Sequence, residues 1–131
     1  MSSKPARKIL EILDEFYSSP TPMWIFDQRS LAFLEVNEAA VRQYGYSRAQ
    51  FLKMTILDIR PFEDVSKVLQ NALRAHATFG EVWSHRRKDH SVFQVRIISR
   101  LVIFRGHDAE LVSAQEVTAP SGDREMSERT E

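Results

Sequence analysis

The sequence has no cysteine, only four glycines and no excess of either charge, with eighteen Lys+Arg against eighteen Asp+Glu in 131 residues. Without thiols there is no disulfide framework, no thiolate metal site, no iron–sulfur cluster and no cysteine nucleophile. A zero formal charge leaves no global field to hold a polyanion, so nucleic acid is not an expected partner. The few glycines form no phosphate-cradling loop. The longest apolar run, from Ile97 to Phe104, is broken by Ser99 and Arg100 and falls far short of the roughly 18 residues that a membrane helix needs. Glu11, Asp14 and Glu15 near the N-terminus would not be tolerated in a secretory hydrophobic core. The expectation is a cytoplasmic protein without a membrane partner.

With 43% hydrophobic and 27% charged residues, the chain has enough apolar material for one packed core and the length for only one. Residues 6–17 place Ile9, Ile12, Leu13 and Phe16 on one helical face and Lys8, Glu11, Asp14 and Glu15 on the other. Leaving four such apolar side chains in water forfeits roughly 1.5–3 kcal/mol each. This flanking helix, within residues 1–19, is therefore expected to cover a sheet or a second copy, with Ile9, Ile12, Leu13 and Phe16 forming the interface of a symmetric homodimer.

Pro20 and Pro22 separate that helix from the domain proper, residues 20–118. Met23–Phe26 and Leu31–Val36, flanking a polar turn, predict a hairpin. Asn37 stands where it can cap a short helix that Gly45 ends, and Ser47 with Gln50 has capping-box spacing. Arg60 precedes Pro61 and must be extended. Val65, Val68, Leu69, Ala72, Leu73 and His76 follow at helical spacing. After Gly80 the period becomes two, and Val82–Arg87, Val92–Phe104 and Glu110–Val117 read as strands. The result is an α+β domain whose core helices lie between strands 2 and 3. Residues 119–131 read as a mobile tail or truncated linker.

Taken in order, several fragments resemble a PAS domain, the sensory module of many bacterial signalling proteins. They are Phe26-Asp27, Leu34-Glu35-Val36-Asn37-Glu38-Ala39-Ala40, Tyr44-Gly45-Tyr46-Ser47, Asp58-Ile59-Arg60-Pro61 with Glu63-Asp64, Arg86-Arg87-Lys88-Asp89 and Glu116-Val117-Thr118. The chain departs from the family in having His90 where glycine usually follows the turn aspartate, so His90 must be left-handed or the turn must differ. Pro120 and Gly122 stand where a long signalling helix usually begins.

The resemblance implies a five-stranded antiparallel sheet and a cavity between its inner face and the helices. By alternation and family layout, the candidate lining is Val36, Met54, Ile56, Leu69, Leu73, Val95, Ile97, Val112 and Ala114, with Asn37, Trp83 and Ser99 as polar contributors. The same apolar positions would serve equally as packed core. The outer face is expected to offer Ile98, Val102 and Phe104, with a bulge or twist near Ser99 separating them from Val95, Ile97 and Leu101. The implied role is a signal-input module that binds a small ligand or relays a state to an output domain such as a sensor histidine kinase. The alternative is a ligand-free dimerisation module.

The cofactor is left open, with a small metabolite admissible. Haem is disfavoured, because in haem-binding members the proximal histidine lies early on the long helix, where this chain has Val65, Ser66 and Lys67, and His76 lies near its other end. Cysteinyl-flavin photochemistry lacks its cysteine. His85 and His90 are read as surface strand-turn histidines, and with Asp89 they match no common zinc spacing, so no metal is expected. No serine, histidine and acid can be given triad roles from spacing, and no enzyme activity is expected. Arg86, Arg87, Lys88, Arg96, Arg100 and Arg105 make the sheet locally basic, a solvated or partner-docking face rather than an RNA platform, for which Phe93 and Phe104 are a thin aromatic pair.

Overall fold

A computed structural model of the chain describes residues 13–74 and 78–118. Helical residues 13–18 (α1) lead into β1 (Met23–Asp27) and β2 (Phe33–Val36), then α2 (Glu38–Tyr44), α3 (Arg48–Phe51), two 3-10 turns (Ile56–Ile59 and Phe62–Asp64), α4 (Val65–Arg74), β3 (Thr78–Arg86), β4 (Val92–Phe104) and β5 (His107–Glu116). The strands form one sheet in the order β2-β1-β5-β4-β3, with every neighbouring pair antiparallel. β2 and β3 are thus the two edges, separated by four strand spacings, or about 19 Å. The chain between them must cross the whole sheet, and this lays the helical insert over one face.

Local chemistry sets the insert's bends. Asn37 Oδ1 accepts from Ala40 N–H at 3.0 Å, and Gly45 closes α2 at φ 89°. Ser47 and Gln50 form the reciprocal capping box that opens α3. Thr55 and Asp58 cap the first 3-10 turn in the same way. At the far end the β4–β5 turn has two residues, Arg105 (φ 50°) and Gly106 (φ 82°). Two consecutive positive φ values give the turn type that matches strand twist, so β5 begins at His107 rather than three residues later. Gly80 lies inside β3, where the register with β4 shifts between Phe79 and Glu81, and its φ of 79° suits a bulge. His90 takes the left-handed option at φ 73°.

The sheet carries a core on each face. Trp24, Phe33, Val36, Tyr44, Phe51, Ile56, Ile59, Phe93, Val95, Ile97, Val112 and Ala114 pack between the inner face and the insert. Phe16, Ile25, Phe104, Ala109 and Leu111, with Leu13, Met23, Leu34 and Val102 against them, form the outer core. Register between β4 and β5 is unbroken from Val95↔Glu116 to Phe104↔His107. No bulge occurs at Ser99, because the odd- and even-numbered residues of β4 already alternate between faces without one. Phe93 is therefore inner and Phe104 outer, and the two do not form a paired aromatic platform.

Phe16 requires a correction. It is 1% exposed within a single chain, packed on its own sheet, and so cannot be a contact surface for a second copy. Ile9, Ile12 and His76 lie outside the described residues. The locally basic residues are largely engaged at home: Arg87 stacks 3.8 Å from the Phe93 ring centroid, Arg96 Nη1 donates to Gly80 O at 2.9 Å, and Arg105 lies 3.7 Å from Glu35.

Candidate functional site

Of the residues anticipated around a cavity, the structure brings Val36, Ile56, Val95, Ile97, Val112 and Ala114 into the inner core, with Met54 and Trp83 packed against it. Leu69 is 38% exposed on α4, so it faces outward rather than into the layer. The side chain of Leu73 lies outside the described part. Ser99 is buried on the inner side, where its hydroxyl donates to Glu110 Oε2 at 2.6 Å.

Asn37 is excluded as a ligand donor by its bonding. Its Oδ1 accepts from Met23 N–H (3.0 Å) and Ala40 N–H (3.0 Å), and its Nδ2 donates to Phe16 O (2.9 Å) and Thr21 O (3.0 Å). It ties α1, β1 and α2 together, with no capacity left over.

His85, expected at the surface, is fully buried. It stands on β3 opposite Phe93, two residues from Trp83 opposite Val95, so strand alternation sends both inward. Its ring lies 5.8 Å from Trp24, 5.7 Å from Tyr44 and 6.3 Å from Phe93, centroid to centroid. His85 Nδ1 is 2.6 Å from Tyr44 Oη. Burial, reinforced by the positive charge of Arg60, holds the imidazole well below its ordinary pKa, and burial pushes the Tyr44 phenol well above its own. Both are neutral at pH 7. The arrangement that leaves no hydroxyl proton unpaired has Tyr44 donating to Nδ1, which puts the imidazole proton on Nε2.

Arg60, also missed as a site residue, lies over the same face. Held extended by Pro61, it places its guanidinium carbon 4.9 Å from the Trp83 ring centroid, while Lys67 Nζ lies 5.6 Å from it. The segment is clamped from β3, whose Arg86 donates to Arg60 O (3.4 Å) and Asp58 O (3.2 Å). Burial lowers the Arg60 pKa to about 10, a value at which it is still charged. Alternation along β3 could have revealed His85, whereas only the tertiary fold brings Arg60 over it.

On the outer face Glu35 is 1% exposed. It accepts from Arg48 Nε (2.7 Å), Arg48 Nη2 (2.9 Å), Tyr17 Oη (2.7 Å) and Val36 N–H (3.0 Å). Burial alone would raise its pKa, but the bonds from Arg48, Tyr17 and Val36 outweigh that and keep it low. Beside it, an apolar groove of about 270 Å³ runs between α1 and the sheet, lined by Leu13, Phe16, Ile25, Val102, Ile103, Phe104 and Leu111. Among the described residues no cluster of three or more His, Asp and Glu is placed to hold a metal, and no helix is long and apolar enough to cross a membrane.

Residues 11–117 match the family model of the PAS fold. The chain belongs to the PAS family. None of the curated proteins matches it, but solved PAS structures do. A PAS domain from a two-component sensor histidine kinase superposes with a TM-score of 0.68 at 20% identity, covering 88% of this chain and 100% of that one. The PAS domain of an HTR-like protein from Haloarcula marismortui gives 0.70 at 18% identity over 88% and 97%. A domain of a sensory box sensor histidine kinase/response regulator from Geobacter sulfurreducens gives 0.73 at 16% identity over 88% and 99%. At these identities the likeness is one of fold. PAS domains are sensory modules of signalling proteins, and the five-stranded antiparallel sheet with its helical insert is theirs.

Proposed function

We propose that this PAS domain is a cytoplasmic, non-catalytic signal-input module. It binds a small molecule between the inner face of the sheet and the helical insert and passes its state to an output domain such as a histidine kinase. The observation that carries this reading is the polar equipment of an otherwise aromatic inner layer: Arg60 and His85 are buried there, and both have nitrogens without partners. A layer that only packed would have no use for them, since unpaired buried polar groups are costly. Native mass spectrometry of the protein as purified from cells tests it. A retained mass above the 15.2 kDa polypeptide that is released on denaturation is expected, and the bare polypeptide alone counts against it.

A ligand-free dimerisation module is the second reading, favoured by the outer-face groove and by Ile103, which is 78% exposed at its rim. The proposed homodimer would use Leu13 and Ile103 rather than Phe16. In sedimentation at micromolar concentrations Ile103→Glu should then convert a dimer to a folded monomer, and a wild-type monomer removes the dimer altogether.

A further inference from the structure

Among the described residues, three buried side-chain nitrogens have no hydrogen-bond partner: Arg60 Nε, Arg60 Nη1 and His85 Nε2. They belong to one neighbourhood. Trp83 and His85 share a face of β3, the Arg60 guanidinium stacks on Trp83, and its charge bears on both His85 and Tyr44. With Tyr44 donating to His85 Nδ1, all three nitrogens are donors. Asp64 is the acid whose charge acts on Arg60, yet it makes no ion-pair contact with it. A water molecule could satisfy the donors but not the charge, whereas an anion does both. Among anions, a carboxylate matches the planar guanidinium. The side chains packed around these nitrogens, Trp24, Trp83, Tyr44 and Phe93, are flat and aromatic.

We propose that the site takes a small organic monocarboxylate with a flat, apolar body, its oxygens accepting from the Arg60 guanidinium and from His85 Nε2. The occupant would be the signal of the preceding section, and the inference rests on that reading. Arg60 and His85 are then specificity residues: they reject neutral isosteres by leaving the guanidinium uncompensated.

The test uses the full chain at constant ionic strength. Benzoate, phenylacetate, butyrate and acetate are titrated against their amides, following the melting temperature and the Trp83 indole N–H resonance. At least one acid should bind tenfold or more tightly than its amide, and Arg60→Met should abolish that preference. The unliganded Arg60→Met protein should melt no lower than wild type. If it fails to fold, Arg60→Lys, which keeps the charge and loses the planar fork, should reduce acid affinity tenfold in a folded protein.

Acids and amides binding alike would overturn the carboxylate class while leaving the ligand site standing. An acid preference that survives Arg60→Met would overturn the residue assignment. If no probe binds, the compound retained from cells decides: a carboxylic acid supports the proposal and a neutral molecule overturns it. A bare polypeptide removes the ligand site itself.

Discussion

On the outer face of the sheet Glu35 is 1% exposed and accepts four hydrogen bonds, while on the inner face Arg60 is 9% exposed and keeps two nitrogens without a partner. Both are buried charges in one small domain, and a buried charge is tolerated when its neighbours satisfy it. Glu35 is satisfied by elements on both sides of it in sequence, Tyr17 and Arg48, and so acts as a fastener for α1. Arg60 has the Trp83 ring beneath it and feels the charge of Asp64, but no ion-pair contact and no hydrogen bond reaches its Nε or Nη1. The contrast separates a buried charge that the fold saturates with hydrogen bonds from one that it leaves short of them.

Removing the fastener should have the largest effect. Glu35→Ala takes an acceptor from the Val36 N–H and unties α1 from β2, and should cost about 3 kcal/mol in a denaturant melt, Tyr17, Arg48 and Arg105 being exposed enough to rehydrate. If Arg60→Met costs more than Glu35→Ala, the contrast collapses. Asn37→Ala, which removes a cap and leaves the Phe16 and Thr21 carbonyls and the Met23 amide unmatched, should cost about 2 kcal/mol, more than a cap alone. A loss confined to about 1 kcal/mol would mean that the links to α1 and β1 carry nothing.

The smallest effect concerns Asp27. The Ser30 amide, outweighing the opposing effect of burial and helped by His107, the Ser30 hydroxyl and the Arg29 amide, lowers its pKa from 3.8 to about 2. A carboxylate depressed in the folded state stabilises fully above its unfolded pKa and loses that contribution as pH falls through the folded one. Part of the acid destabilisation between about pH 4 and 2 should therefore disappear in Asp27→Asn, and melts at stepped pH that superimpose for the two proteins would remove Asp27 as its source.

Most elements were legible because their signals are local. The Asn37 cap, the Gly45 stop, the Ser47–Gln50 box and the strand alternation through Val95 and Ile97 each depend on residues a few positions apart. The failures came where distant chain decides. Glu35 reads as a polar strand residue until α1 folds over it, and Phe16 reads as a dimer contact until its own sheet claims it. Leu69 follows the helical stripe, yet the end of the insert leaves it outward. Gly80 reads as a connection because a bulge is visible only against β4. His85 was within reach of alternation, but proximity to a turn disguised it.

The end of β3 has a consequence for how the molecule opens. Arg86 donates to Asp58 O and Arg60 O, Arg87 Nε to Gln43 O at 3.1 Å and the Lys88 amide to Tyr44 O at 2.9 Å. Three successive residues thus stitch the close of α2 and the first 3-10 turn to one hairpin. Local openings follow such stitching, since groups joined by shared hydrogen bonds come apart together. The close of α2 and the first 3-10 turn are thus tied to the β3–β4 hairpin, and the backbone of Arg60 is joined to an edge strand of the sheet by a hydrogen bond that bypasses the packed core.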